Sequence, residues 1–378
     1  MALCQQECAE YSSLAATVTS VSMRIGMICP YSLSIPGGVQ AQVLGLAREL
    51  RRTGYEVRVL GPCDGPPPES FVTPLGDSLP TSANGSIAPL APDPSATLRT
   101  MRILRDERFD VIHVHEPLAP GPPITTVTLH TAPTVGTFHA AGRSSMYRYG
   151  APILARIAHR IDHRVVVSKD ALGLVSGYLG GEYEVLFNGV DTAEIRAVER
   201  RTLNRPALFF LGRHEERKGL EVLLAAVALL ELDVSCWVAG EGPDTTRLRG
   251  EYSNDPRIEW LGRITEADKL DRLRSASVFC APSLHGESFG VVLVEAMAAG
   301  TPVVASALDG YRNVATHDVN SVLVPQGDPR ALATAIRRVL TDSSLAARLV
   351  ANGNLRADDF AMSSLASRYA AIYHRLAP

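Results

Sequence analysis

Short apolar runs alternate with stretches of helical periodicity along nearly the whole chain, and the alternation restarts halfway. Runs at 23–29, 55–60, 109–114, 133–139, 161–168 and 183–187 read as buried strands. A second set follows at 207–211, 234–239, 257–261, 278–282, 302–305 and 321–324. Strands separated by helix-length segments pair in parallel, because each crossover needs the room of a helix. Between Asp191 and Arg205 charged residues interrupt the apolar pattern, so a linker is expected there. A chain of 378 residues is long for one core and comfortable for two. The expected fold is α/β, two doubly wound Rossmann-like domains facing across a cleft. The expected domains are 23–195 and 205–358, with a last helix within 359–378. Residues 61–95, rich in Pro, Gly and Ser, read as a long irregular segment that a functional loop would explain.

A formal net charge of −3 with 46% hydrophobic residues is an ordinary balance, and no basic domain or aromatic-interleaved basic stripe marks a nucleic-acid partner. Cys29, Cys236 and Cys280 sit in strand runs and read as reduced core thiols, while Cys4 and Cys8 lack partners at zinc spacing. Residues 1–22 lack the pattern of a signal peptide and read as a disordered extension or as sequence upstream of a start at Met23. No apolar run reaches membrane-spanning length, so a cytoplasmic protein, at most peripheral on a membrane, is expected.

Three segments carry the chemistry. In Gly286–Gly300, two carboxylates lie eight positions apart. Glu287 falls at the mouth of a helix, beside first-turn N–H groups that suit a phosphate or a sugar hydroxyl. Glu295 falls about two turns further in among Val292, Leu293, Val294, Ala296 and Met297, where a carboxylate needs donors. Ribose hydroxyls would supply them, and so would a structural Arg. In Gly212–Gly219, Arg213, Arg217 and Lys218 cluster between a buried strand and a helix spanning 220–230. Open α/β sheets bind ligands at such junctions, and paired cations there can hold a diphosphate. A solvated basic loop is the alternative. Near the N-terminus, Gly37-Gly38 opens a helix expected at 39–52, which would bare backbone amides to a ligand or simply make a tight turn.

Together these segments resemble glycosyltransferase family 4, retaining nucleotide-sugar transferases of the GT-B fold. Within it the chain is most similar to the actinobacterial branch that mannosylates phosphatidylinositol from GDP-mannose. The stretches that carry the likeness are 23–32, Pro36–Gln40, Asn84-Gly85-Ser86, Asp110–Pro117, Thr137-Phe138-His139, Asn188–Asp191 and Glu287–Thr301. The resemblance implies that the last helix, about 361–376, returns across the N-terminal domain. It implies a donor site of Tyr31, Gly38, Arg213, Arg217, Lys218, Ile264, Glu266, Lys269, Glu287, Ser288, Phe289, Gly290, Val291 and Glu295. It implies acceptor contacts at Gln40 and Asn84, and catalytic roles for His139, Arg213, Lys218 and Glu287. His113, His115 and Glu116 read as structural, with the cleft within their reach. No prosthetic group is implied. With no Asp-x-Asp motif in the chain, the cations would stand in for a divalent ion. The implied partners are the nucleotide-sugar donor, a phospholipid acceptor and an anionic membrane surface at the inner face of the cell membrane.

The acceptor stretch departs from the pattern of that branch. An aromatic and an arginine expected beside the inositol phosphate are replaced by Ala83 and Pro89. A helix from Leu98 to Arg108 would carry Arg99, Arg102 and Arg105 on one stripe beside Leu98, Met101 and Leu104, suiting either anionic lipid or ordinary packing. A UDP-sugar donor with a soluble sugar or inositol acceptor is the other enzymatic reading. A non-catalytic nucleotide-sugar binding protein is the third, and retention of both glutamates and all three cations speaks against it.

Overall fold

The computed structural model describes residues 22–83, 86–140, 145–287 and 289–377. Its first half contains strands β1 (Arg24–Ile28), β2 (Glu56–Gly61), β3 (Val72–Pro74), β4 (Leu79–Ala83), β5 (Ser86–Leu90), β6 (Val111–His115), β7 (Thr134–Phe138), β8 (His163–Val166) and β9 (Glu184–Val185). Seven of them form one parallel sheet in the order β3-β2-β1-β6-β7-β8-β9. The second half contributes β10 (Ala207–Leu211), β11 (Ser235–Ala239), β12 (Ile258–Gly262), β13 (Val278–Ala281), β14 (Val303–Ser306) and β15 (Val322–Val324). These form a second parallel sheet, ordered β12-β11-β10-β13-β14-β15. Helices cover both faces of each sheet, so the strands are buried almost throughout and read as continuous apolar runs. In each sheet the strand order reverses beside the first strand, between β1 and β6 and between β10 and β13. The loops leaving the carboxyl ends of these four strands border the crevices where doubly wound sheets take ligands.

Three expectations need correction. Residues 61–95 are only partly irregular: between their loops they hold β3 and an antiparallel hairpin of β4 and β5 in which Pro80 pairs with Pro89. A two-stranded hairpin lets a proline face outward where an N–H is not needed, and the prolines hide the strand pattern in the sequence. The segment 191–205 opens with a short helix, Thr192–Ala197, capped by the Asp191 carboxylate. Its charged residues form the outer face, while Ile195 packs into the core of the second half. The helix expected at 98–108 starts earlier, at Pro94, where Asp93 accepts from the backbone of Ser95 and Ala96.

The last helix, Met362–Leu376, packs on Gly38–Arg52 in the first half, through Met362, Ala366, Tyr369, Ile372 and Tyr373 against Val43, Leu46 and Leu50. The two chain crossings between the halves are bonded to each other: Val190 N donates to Phe360 O, and Met362 N to Val190 O. The Gln42 amide clasps Gly189 from both sides, donating to its carbonyl at 2.7 Å and accepting its N–H at 2.8 Å.

Candidate functional site

The second half assembles its polar cluster from the loops after β10 and β13. Residues 216–218 form one 3-10 turn that ends at Gly219, whose φ of +67° lets the chain reverse into the helix Leu220–Ala228. A Cβ on Gly219 would lie 2.0 Å from the Pro282 carbonyl oxygen, so only glycine lets the cation turn pack onto the loop that leaves β13. That packing brings Lys218 Nζ to 2.5 Å from Glu287 Oε1, with Arg217 Nη1 at 3.7 Å. Ser283 Oγ donates to the same carboxylate oxygen at 3.1 Å and bonds the Tyr311 hydroxyl at 2.9 Å. Arg217 also pairs with Glu215 at 2.7 Å, whereas Arg213 is largely exposed and meets Glu215 only at 3.9 Å. Arg213, Arg217 and Lys218 thus gather around Glu215 and Glu287. Gly290, at φ +92°, caps the helix Val291–Ala298, and its first-turn N–H groups open beside this cluster. The Phe289 side chain turns away into the core, stacked on Phe187 at 5.0 Å, so only its backbone faces the mouth.

Glu295 lies partly buried one step behind. Its partner is a lysine, not an arginine: Lys269 Nζ lies 2.8 Å from Glu295 and 2.6 Å from Glu266. Burial pushes the Glu295 carboxyl up and the ammonium beside it pulls back. Lys269 stays above its ordinary value because the two carboxylates outweigh its own desolvation. Ile264 packs half-buried against the core of the second half. Of the nucleoside set expected from the sequence, Ile264, Glu266, Lys269 and Glu295, the last three are therefore joined through Lys269.

The first half presents the loops after β1, β6 and β7. Gly38 begins its helix with open space where a Cβ would be. Gln40 points inward, its amide donating to the Ser32 carbonyl at 3.3 Å. Tyr31 is bridged to Leu90 of the hairpin, and burial, with Glu116 adding to it, raises its phenol. Glu116 adopts φ +48° and directs its carboxylate at the backbone N–H groups of His139, at 2.6 Å, and Ala140. Burial lifts this carboxyl to about 7 against those two hydrogen bonds. His139 is half-buried, its imidazole pushed down to about 4 by desolvation, and its Nε2 lies 2.9 Å from His115 Nδ1. Asn84 and Ser288 lie outside the described residues. Sequence reasoning missed Ser283, Tyr311 and Glu215. Ser283 carried a signal, since it follows a strand end at a switch point.

A family model described as glycosyltransferase family 4 matches residues 36–194, and one described as glycosyl transferases group 1 matches 191–356. A phosphatidyl-myo-inositol mannosyltransferase of Mycobacterium leprae is 40% identical over 367 residues, which are 94% of this chain and 97% of that one. The chain belongs to glycosyltransferase family 4. As a family 4 glycosyltransferase it is a hexosyl-transferring enzyme, and its two Rossmann-like sheets are those of the GT-B fold. A phosphatidyl-myo-inositol mannosyltransferase of Mycolicibacterium smegmatis is 38% identical over 93% of both chains. Among solved structures, Anabaena HepE in complex with UDP and glucose superposes with a TM-score of 0.71 over 94% of this chain and all of that one. At 17% identity, that likeness carries the fold alone. Among the described residues, no helix of this glycosyltransferase is long and apolar enough to cross a membrane.

Proposed function

We propose that this enzyme moves mannose from GDP-mannose to phosphatidylinositol or a related lipid, with retention at the anomeric carbon. The observation that carries the reading is the convergence of Arg217, Lys218 and Glu287 at one sheet switch point, beside the N-terminus of the helix Val291–Ala298. A diphosphate entering there competes with Glu287 for Lys218, which frees the carboxylate to accept hydroxyls of the transferred sugar. Arg213 and Arg217 add charge that offsets the negative charge building on the leaving phosphate, the role a divalent ion would otherwise fill. The backbone at Gly38 approaches the same phosphates from the opposite wall. Glu295, with Lys269 and Glu266, meets the ribose and base. His139 meets the transferred sugar. In the retaining mechanism that the family implies, the acceptor oxygen bonds to the anomeric carbon as the carbon–phosphate-oxygen bond breaks. The acceptor proton passes to that leaving oxygen, so no enzyme nucleophile is needed. The domains are proposed as 23–195 for the acceptor and 205–358 for the donor.

A peripheral seat on the inner face of the membrane fits a second observation. The helix Ser145–Ala158 exposes Met146, Tyr149 and Ile153 on one face, and Arg148 and Arg156 are exposed beside them. No Asp or Glu occurs between Glu116 and Asp162, so this helix itself carries cations and no carboxylate beside its apolar face, which suits an anionic bilayer. The stripe expected on the helix Pro94–Asp106 is weaker: Leu104 is in the core and Arg99 is bonded to the Leu75 carbonyl.

The test is transfer of radiolabelled mannose from GDP-mannose to phosphatidylinositol in vesicles, with Glu287→Ala beside the wild type. A labelled lipid made by the wild type and lost in the variant is the expected result. Tight GDP binding without a lipid product overturns the acceptor. Turnover of a UDP-sugar in place of GDP-mannose overturns the donor. Ala83 and Pro89 make the acceptor the arm to watch.

A further inference from the structure

His139 has its backbone clamped by Glu116, and what governs its ring is a second histidine. Parallel pairing sets His115 opposite Thr137, two residues before His139, so His115 and His139 project from the same face of neighbouring strands. His115 Nδ1 and His139 Nε2 are 2.9 Å apart. Two neutral imidazoles at that distance share one N–H, so the tautomer of one ring dictates the tautomer of the other. His115 is itself immobilised: it is 2% exposed and stacks on His113 with centroids 4.3 Å apart. His113 is in turn held by Tyr373 and Thr137 at 2.7 Å each. His115 Nε2 is buried without a hydrogen-bond partner. With His139, the ring lines a small cavity shared with Gln42, Thr137, Asn188 and Tyr369. With Nε2 unpartnered, the one hydrogen bond of this ring is the one that orients His139.

We propose that His115 is a positioning residue for the transfer, holding His139 in a single tautomer that leaves Nδ1 as the nitrogen offered to the transferred sugar. The proposal rests on the reading that His139 meets that sugar. Desolvation keeps both rings neutral, which preserves the one shared proton.

Two substitutions separate orientation from packing. His115→Phe keeps a ring on His113 and removes the hydrogen bond; His115→Asn removes the ring and returns a polar atom where Nδ1 stood. The readouts are nitrogen-15 spectra of the ligand-free protein, with the His139 signal assigned by a His139→Gln spectrum, and donor kinetics. The wild type is expected to show one His139 tautomer and His115→Phe a mixture. In His115→Phe, kcat falls by about tenfold to a hundredfold while donor KM stays within about twofold. His115→Asn restores a single tautomer and most of kcat. A packing role gives the reverse order, with Phe tolerated and Asn inactive and less stable, and that result overturns the proposal. So does an unmixed His139 tautomer in His115→Phe. The spectra need no substrate, so failure to mannosylate phosphatidylinositol overturns the donor–acceptor reading and leaves the role of His115 to be decided by the tautomer.

Discussion

Two glycines at the mouth of the cleft have opposite reasons for being glycine. Gly219 sits in the left-handed region with its would-be Cβ against the Pro282 carbonyl, so a methyl group there must push two loops apart. Gly219→Ala is expected to cost about 2–5 kcal/mol, combining backbone strain and overpacking, which is a large share of a typical domain's stability. Gly38 has open space instead, at the first turn of a helix, where alanine is if anything favourable. Gly38→Ala is therefore expected to unfold in urea like the wild type and to weaken donor binding, because its methyl group occupies the approach of the phosphates. Urea curves and GDP titrations on both variants check this. A Gly38→Ala enzyme with wild-type donor affinity would remove the backbone at 38 from the phosphate site. Local sequence exposed Arg213, Arg217, Lys218 and Glu287, because a strand, a turn and a helix in succession fix where such side chains emerge. The pairings of Glu116 and His115 with His139, and of Ser283 with Tyr311, were not legible, since they depend on strand register and on loops 23 or more residues away in the chain.

At the scale of elements, the twelve strand runs were readable because strands buried on both faces need continuous apolar sequence. The hairpin Leu79–Leu90 was not, because Pro80 and Pro89 mask a strand that makes its few hydrogen bonds to one neighbour only. Helix faces are harder still, since periodicity alone does not say which side meets the sheet. Leu104 was expected beside a lipid-facing stripe and lies in the core, whereas Tyr149 and Ile153 were not singled out and are mostly exposed. If the helix Ser145–Ala158 seats the enzyme on lipid, Ile153→Asp removes an apolar anchor worth about 1.5–3 kcal/mol and adds a charge of the wrong sign. Vesicle sedimentation should show at least a tenfold loss of affinity for anionic vesicles. Thermal unfolding should be unchanged, because the side chain touches little of the protein. Equal binding of the wild type and the variant would move the lipid contact to another face.

The histidines also tie the whole molecule together, because His113 bonds Tyr373 on the helix that returns from the second half, and Thr137 bonds Tyr369 on the same helix. Burial pushes His113 down to about 3, His139 to about 4 and His115 well below its usual value, so all three stay neutral in the fold at pH 5. In the unfolded chain each titrates near 6.5, so as pH falls below that value the unfolded state takes up protons that the folded state refuses. Each ring held neutral then costs up to about 2 kcal/mol at pH 5 relative to neutral pH, least for the half-buried His139. Glu116 works the other way. Its folded value near 7 exceeds the unfolded 4.5, so its contribution is fully present below 4.5 and is lost as pH rises through 7. Lowering the pH from 7.5 to 5 therefore regains about 2 kcal/mol from this carboxyl. Three histidines outweigh one glutamate, and the wild type is expected to lose about 2–4 kcal/mol over that interval, measured as a lower urea midpoint. Glu116→Gln lacks the compensating group and should lose about 2 kcal/mol more across the same interval. A midpoint that is flat or higher at pH 5 would mean that the stack takes up protons in the folded state. The returning helix would then be held by charged pairs at that end rather than by the neutral hydrogen bonds to Tyr369 and Tyr373.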